Sequence, residues 1–239
     1  MKKKKTTILI STFILIVLAA LFVFVYFTTR ANWGTLQGRV VDEISQDVVK
    51  KLHVTIDGKS DILYMSKDFK LTRIPPGKHT FKATAPYYEE IQQEMDIKKG
   101  INVLDFTMKG TEIPGLAGII CFSEPTEQGI EVEIRFKNHE GQGISDYPAL
   151  PLTLEGKLYV RNGDEDNYSR GRKLFDGPMK LFWDPTSYLA RNKAIIPWNI
   201  LEINAENEKY GLMELILTTP QGAFEDVIEN VELTKKEGQ

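Results

Sequence analysis

The chain of 239 residues has room for one large domain or two of ordinary size, and its 42% hydrophobic and 26% charged residues are too apolar a balance for a disordered protein. Its formal net charge of −3 conceals an asymmetry. Lys2, Lys3, Lys4, Lys5 and Arg30 all precede the first acid, Asp42, so that beyond Arg30 only 25 of the 30 basic residues face all 33 acids. A net-acidic body without a basic stripe argues against a nucleic-acid partner.

From residue 8 to residue 27 the chain is apolar except at Ser11, Thr12 and Tyr26. An uncharged helix of about 20 residues rises about 30 Å, the thickness of a hydrocarbon core. Four lysines precede the run and only Arg30 follows it, so the positive-inside bias predicts a cytoplasmic stub and membrane anchor over residues 1–30, with the remainder extracytoplasmic. Tyr26 and Trp33 are placed to mark the outer interface. A cleaved signal peptide is the alternative. Its apolar region would usually be only about 7–15 residues long, and Thr29-Arg30-Ala31 is a weak cleavage site, so a retained anchor is the expectation.

Residues 34–110 break into short β-type runs. Leu52, Val54 and Ile56 alternate with polar residues before Asp57-Gly58, a strong hairpin signal. Further runs lie at 62–65, 69–74, 79–85, 91–97 and 101–108. Pro75-Pro76-Gly77 must be a turn, because two prolines lack amide donors and glycine permits positive φ. Such spacing reads as an antiparallel sandwich.

The order Gly38-Arg39-Val40, Val54-Thr55-Ile56-Asp57-Gly58, Phe69-Lys70-Leu71, Pro75-Pro76-Gly77 and Ala85-Pro86-Tyr87-Tyr88 resembles the carboxypeptidase regulatory-like, or transthyretin-like, sandwich family. The resemblance covers most of this module, and the Phe-x-Leu and Pro-Pro-Gly spacing is its specific part. Asp68 stands where that family usually has glycine, and His79 where it usually has an aromatic. The resemblance implies a structural or adhesive module and brings no catalytic residues.

Pro114-Gly115 opens a second module, residues 111–236. Ile130, Val132, Ile134 and Phe136 alternate with Glu131, Glu133, Arg135 and Lys137, so this strand has one packed and one wet face. Runs at 152–154, 157–160, 173–175, 179–183, 211–218 and 224–233 follow, the last two joined through Thr219-Pro220-Gln221-Gly222. Strand count and spacing predict an immunoglobulin-like sandwich. Asp184-Pro185 supplies a helix N-cap followed by proline, predicting a short helix near 185–192.

Residues arranged for chemistry are few. His53, His79 and His139 have no metal-ligand spacing, and no Gly-x-Ser-x-Gly elbow or phosphate loop occurs. The expectation is a protein that is not an enzyme and needs no cofactor. Cys121, within an apolar run, reads as a small buried hydrophobe. Asp164 and Asp166 gather oxygen ligands suited to calcium, in a segment that hairpin-tip geometry would favour anyway. Trp183, Tyr188 and Trp198 could form an aromatic platform for a sugar, although large aromatics more often build cores.

The sequence therefore predicts an all-β protein, two β-sandwich domains in tandem after one transmembrane helix. Its partners are the membrane through residues 8–27 and either a protein or a cell-surface glycan.

Overall fold

The computed structural model describes residues 16–23, 33–64, 68–164, 167–204 and 206–235, with backbone alone at 60–64 and 164. Residues 16–23 are helical and Trp198–Ile200 form a 3-10 turn; among the described residues every other regular element is a β-strand. Among the described residues no helix is long and apolar enough to cross a membrane. Most of the expected anchor at 8–27 lies outside them.

The chain divides into two compact units. The first contains β1 (Gly34–Gly38), β2 (Val40–Asp42) as far as Val41, β3 (Leu52–Ile56), β4 (Lys59–Tyr64), β5 (Phe69–Ile74), β6 (Gly77–Thr84), β7 (Ile91–Ile97), β8 (Gly100–Val103) and β9 (Phe106–Met108). One sheet runs β5-β1-β8 and another β4-β3-β6-β7, while β2 pairs with β9. Phe69 from the first sheet and Phe81 from the second are fully buried, with ring centroids 5.6 Å apart, and Phe106 stacks on Phe81 at 4.5 Å.

The turn between β3 and β4 has the predicted form. Ile56 pairs with Lys59, and both residues between them have positive φ, 51° at Asp57 and 67° at Gly58, as a type I′ turn requires. Gly38 in β1 has a different reason to be glycine. A Cβ there would collide with the carbonyl oxygen of Leu104, whose own N–H donates to Gln37 at 3.0 Å.

The second unit holds β10 (Gly118–Pro125), β11 (Gly129–Lys137), β12 (Gly143–Ile144), β13 (Thr153–Asp164), β14 (Asn167–Met179), β15 (Leu181–Trp183), β16 (Asn192–Pro197), β17 (Tyr210–Thr219) and β18 (Gly222–Glu232). One sheet runs β10-β11-β16-β15, with β12 added to β11, and the other runs β14-β13-β17-β18. Ile130, Val132, Ile134 and Phe136 of the first sheet share one buried cluster with Leu154, Leu158, Met213, Leu215 and Leu217 of the second. Cys121 lies in that cluster. Burial pushes its thiol pKa up, so the thiolate is suppressed.

Two expectations are corrected. The first concerns the boundary: a single cut near residue 110 does not describe the packing, because Asp42–Asp47 and Tyr87–Glu89 belong to the second unit. The buried carboxylate of Asp42 holds them there. It accepts from the N–H groups of Ile44 and Ser45, from the Tyr88 hydroxyl and from the Ala149 N–H, at 2.8–3.0 Å.

The second concerns residues 185–192, which contain turns and bends and no helix. The Asp184 carboxylate accepts from both the N–H and the hydroxyl of Thr186, at 2.9 and 2.6 Å. The Asp184 N–H donates to the Arg191 carbonyl at 2.7 Å. The cap residue therefore closes a loop, because Arg191 must return at once to place Asn192 opposite Trp183.

Candidate functional site

The β10-β11-β16-β15 sheet buries one face and leaves the other open to water. On the open face the register aligns one residue from each strand in a single row: Phe122 opposite Glu133, Glu133 opposite Lys193, and Lys193 opposite Phe182. With strands about 4.8 Å apart, the row spans about 14 Å. Its ends are aromatic and exposed, Phe122 by 44% and Phe182 by 40%, and Ile120 beside Phe122 is 38% exposed.

Between the aromatic ends lies a charge network. The Lys193 ammonium is 2.9 Å from Glu131, 3.3 Å from Asp184 and 3.6 Å from Glu133. Glu133 also accepts from Arg135 at 3.0 Å, and the Arg135 guanidinium lies 4.3 Å from the Phe122 ring centroid. Hydrogen bonding to Glu131, reinforced by the surrounding carboxylates, raises the Lys193 pKa. The Asp184 pKa is lowered, first by the two Thr186 bonds and then by Lys193. The three acids are thus engaged by cations. Among the described residues no group of three or more His, Cys, Asp or Glu is arranged to hold a metal.

The residues chosen from sequence are distributed differently. Trp183 pairs with Asn192 at one end of β16, whereas Trp198 follows Pro197 at the other. Six residues at about 3.3 Å each separate them by about 20 Å, so the two tryptophans do not build one platform. Trp198 is half-buried against the core and donates its indole N–H to the Thr126 carbonyl at 2.8 Å.

Trp183 is half-buried edge-on to Tyr147, with centroids 5.8 Å apart, and Tyr147 in turn packs edge-on to Phe136 at 5.0 Å. The Arg191 guanidinium lies 5.5 Å from the Trp183 ring. Burial pushes the Tyr147 hydroxyl up to about 12, which keeps it neutral, and it accepts from Asn192 at 3.3 Å. The Trp183 indole nitrogen is buried and is not offered to a ligand. Tyr188 is 72% exposed on the loop between β15 and β16. Asp164 ends β13 opposite Asn167, with only its backbone described, and Asp166 lies outside the described residues.

No family model matches the chain, and no curated protein matches it by sequence. Solved structures do share some similarity. A DUF3823 family protein from Bacteroides ovatus matches at 15% identity and a TM-score of 0.26, covering 84% of this chain and 99% of that one. A candidate carbohydrate-binding protein from Bacteroides uniformis matches at 14% identity and 0.29, covering 82% and 98%. The major pilin subunit of Bacillus cereus matches at 9% identity and 0.28, covering 84% and 68%. The all-β description rests on the strands and cores described above.

Phe122 escapes sequence reasoning because it sits in an apolar stretch, Ile119-Ile120-Cys121-Phe122, where alternate residues face opposite ways, and Phe182, in Leu181-Phe182-Trp183, is legible only as an aromatic near the expected sugar platform. Only the strand phase separates them from their less exposed neighbours. The regular alternation of Glu131, Glu133 and Arg135 is the signal that marks their common face.

Proposed function

We propose that this chain is a non-catalytic, membrane-anchored surface protein that binds a protein partner through the open face of the β10-β11-β16-β15 sheet. The observation that carries the reading is the row Phe122–Glu133–Lys193–Phe182, two exposed aromatics flanking a network of paired charges. Exposed aromatics around a prepared polar centre suit a protein interface, where aromatic anchors supply buried area and polar groups set the register. A hydrolase would need a reactive group free to act, and here the acids are held by Lys193 and Arg135.

Anchoring through residues 8–27, with an extracytoplasmic body, is part of the same reading. The apolar side chains of the helical stretch 16–23 support it, Ile16 being 61% and Phe22 73% exposed. A carboxypeptidase regulatory-like sandwich is proposed for the first unit, supported by the inward Phe69 and Leu71 and by the positive φ of Gly77 after the two prolines. An immunoglobulin-like sandwich is proposed for the second, supported by two sheets sharing one core.

The test is photocrosslinking in native membranes from a benzoylphenylalanine placed at Phe122 or Phe182 of the full chain. A discrete crosslinked protein is expected from both sites and from neither Glu112 nor Thr218, which are exposed elsewhere. A smear shared by all four positions would refute the interface. Glycan binding is the second reading, favoured by the exposure of Tyr188 on the loop that also carries Arg191. It predicts a glycan-array signal that Tyr188→Ala abolishes.

A further inference from the structure

We propose that the terminal strand β8 of the first unit forms a lipid-contacting patch, in which Trp33, Ile101 and Val103, bordered by Lys98 and Lys99, rest in the headgroup layer of a bilayer. The proposal depends on the reading of residues 8–27 as an anchor.

β8 is the terminal strand of the β5-β1-β8 sheet and runs parallel to β1. Its register sets Asn102 beside the buried Leu36, and Ile101 and Val103 beside Thr35 and Gln37 on the other face. Asn102 locks that phase: its Oδ1 accepts from the Lys98 N–H at 2.9 Å, and its amide donates to the Lys98 carbonyl at 2.8 Å. Ile101 and Val103 are consequently 71% and 63% exposed. The carbonyl of Trp33, itself 40% exposed, accepts the Gly100 N–H at 3.2 Å, which brings the tryptophan to the start of the same strand. Lys98 and Lys99, both exposed, immediately precede Gly100.

Two β-branched side chains exposed on an edge strand are a liability in water, and edges are normally blunted by charge on the strand itself. Here the charge sits beside the apolar pair. A tryptophan, short apolar side chains and adjoining lysines form the composition that settles at a membrane interface and attracts anionic headgroups. The chain length fixes the place. Trp33 follows the last residue of the apolar run, Phe27, by six positions, and six residues extend no further than about 20 Å. If residues 8–27 cross the bilayer, the start of β8 is tethered within reach of its surface. A strand from a second chain would find only the four residues Gly100–Val103 to pair with, so lipid is the occupant the observations favour.

The full chain is reconstituted into vesicles of phosphatidylcholine and phosphatidylglycerol, with a nitroxide attached at Val103→Cys or, for reference, at Gln92→Cys. Gln92 is exposed on β7, six residues before Lys98. Cys121 is buried and stays unlabelled. The label at 103 is expected to collide several-fold more with oxygen, and several-fold less with an aqueous nickel chelate, than the label at 92. Lys98→Glu with Lys99→Glu should narrow that difference.

Protein that resists alkaline carbonate extraction while its label at 103 is as wet as that at 92 would keep the anchor and overturn the patch. Dipolar broadening between labels at 103 on different molecules would overturn it too, in favour of strand pairing. Protein washed off by carbonate would remove the anchor reading. The patch would then stand only if the wild type still floated with these vesicles and Ile101→Ser with Val103→Ser did not.

Discussion

Asp42 and His79 show how single polar side chains organise this protein. The Asp42 carboxylate is buried, with the residue 2% exposed, and accepts from the N–H groups of Ile44, Ser45 and Ala149 and from the Tyr88 hydroxyl. Truncating it leaves the buried Ala149 N–H and three part-buried donors without their acceptor, and a buried donor left unpaired costs about 1–3 kcal/mol, so Asp42→Ala should lose about 3 kcal/mol in urea unfolding, with Asp42→Asn losing less. The Tyr88 hydroxyl in this node has its pKa raised by burial and then by the Asp42 charge, so it remains a donor at any ordinary pH.

His79 is held through both of its ring nitrogens. Both ring nitrogens lie 2.6 Å from oxygens that can only accept, Nδ1 from the Asp57 carboxylate and Nε2 from the Pro75 carbonyl. Both bonds form together only in the imidazolium. The bond to Asp57 raises the His79 pKa, while the Thr80 N–H and then His79 lower that of Asp57. A raised histidine contributes stability fully below its ordinary value of about 6.5 and loses it as pH climbs through the folded value. A lowered carboxylate does the reverse at the acid end. The Tm advantage of the wild type over His79→Gln should therefore be larger at about pH 6 than at about pH 9. An equal difference at both would show that the imidazolium contributes nothing.

At the scale of elements, glycines and turns set the strand positions. Gly38→Ala would push β1 away from the Leu104 carbonyl, and a loss of about 3 kcal/mol is expected in denaturant unfolding. Gly58 is open to solvent, so Gly58→Val costs only backbone strain at positive φ, about 1–2 kcal/mol. The alternation along β11 and the hairpin through Pro220-Gln221 were legible because each is a local pattern. The expectation of a helix near 185–192 rests on an equally local pattern. Asp184-Pro185 satisfies the local rules for a helix start, but the pairing of Trp183 with Asn192 leaves no length in which to build one.

At the scale of the whole molecule, the proposed interface and the core make opposite demands. Phe122→Ala with Phe182→Ala should leave stability within about 1 kcal/mol, since both rings are substantially exposed, while abolishing the partner crosslink. Phe81→Ala, with its ring fully buried on Phe69 and Phe106, should cost about 4 kcal/mol in the same unfolding measurement.

The sequence by itself determined the all-β class, the apolar N-terminal run, the Asp57-Gly58 turn and the wet and dry faces of β11, because period-two alternation and turn chemistry act over a few neighbouring residues. Only the tertiary structure decided that Asp42–Asp47 and Tyr87–Glu89 join the second unit, that Trp183 and Trp198 lie at opposite ends of β16, and that Phe122 and Phe182 share a row. Those outcomes depend on register between strands far apart in the chain. One residue of slip there exchanges a buried side chain for an exposed one without altering any local pattern.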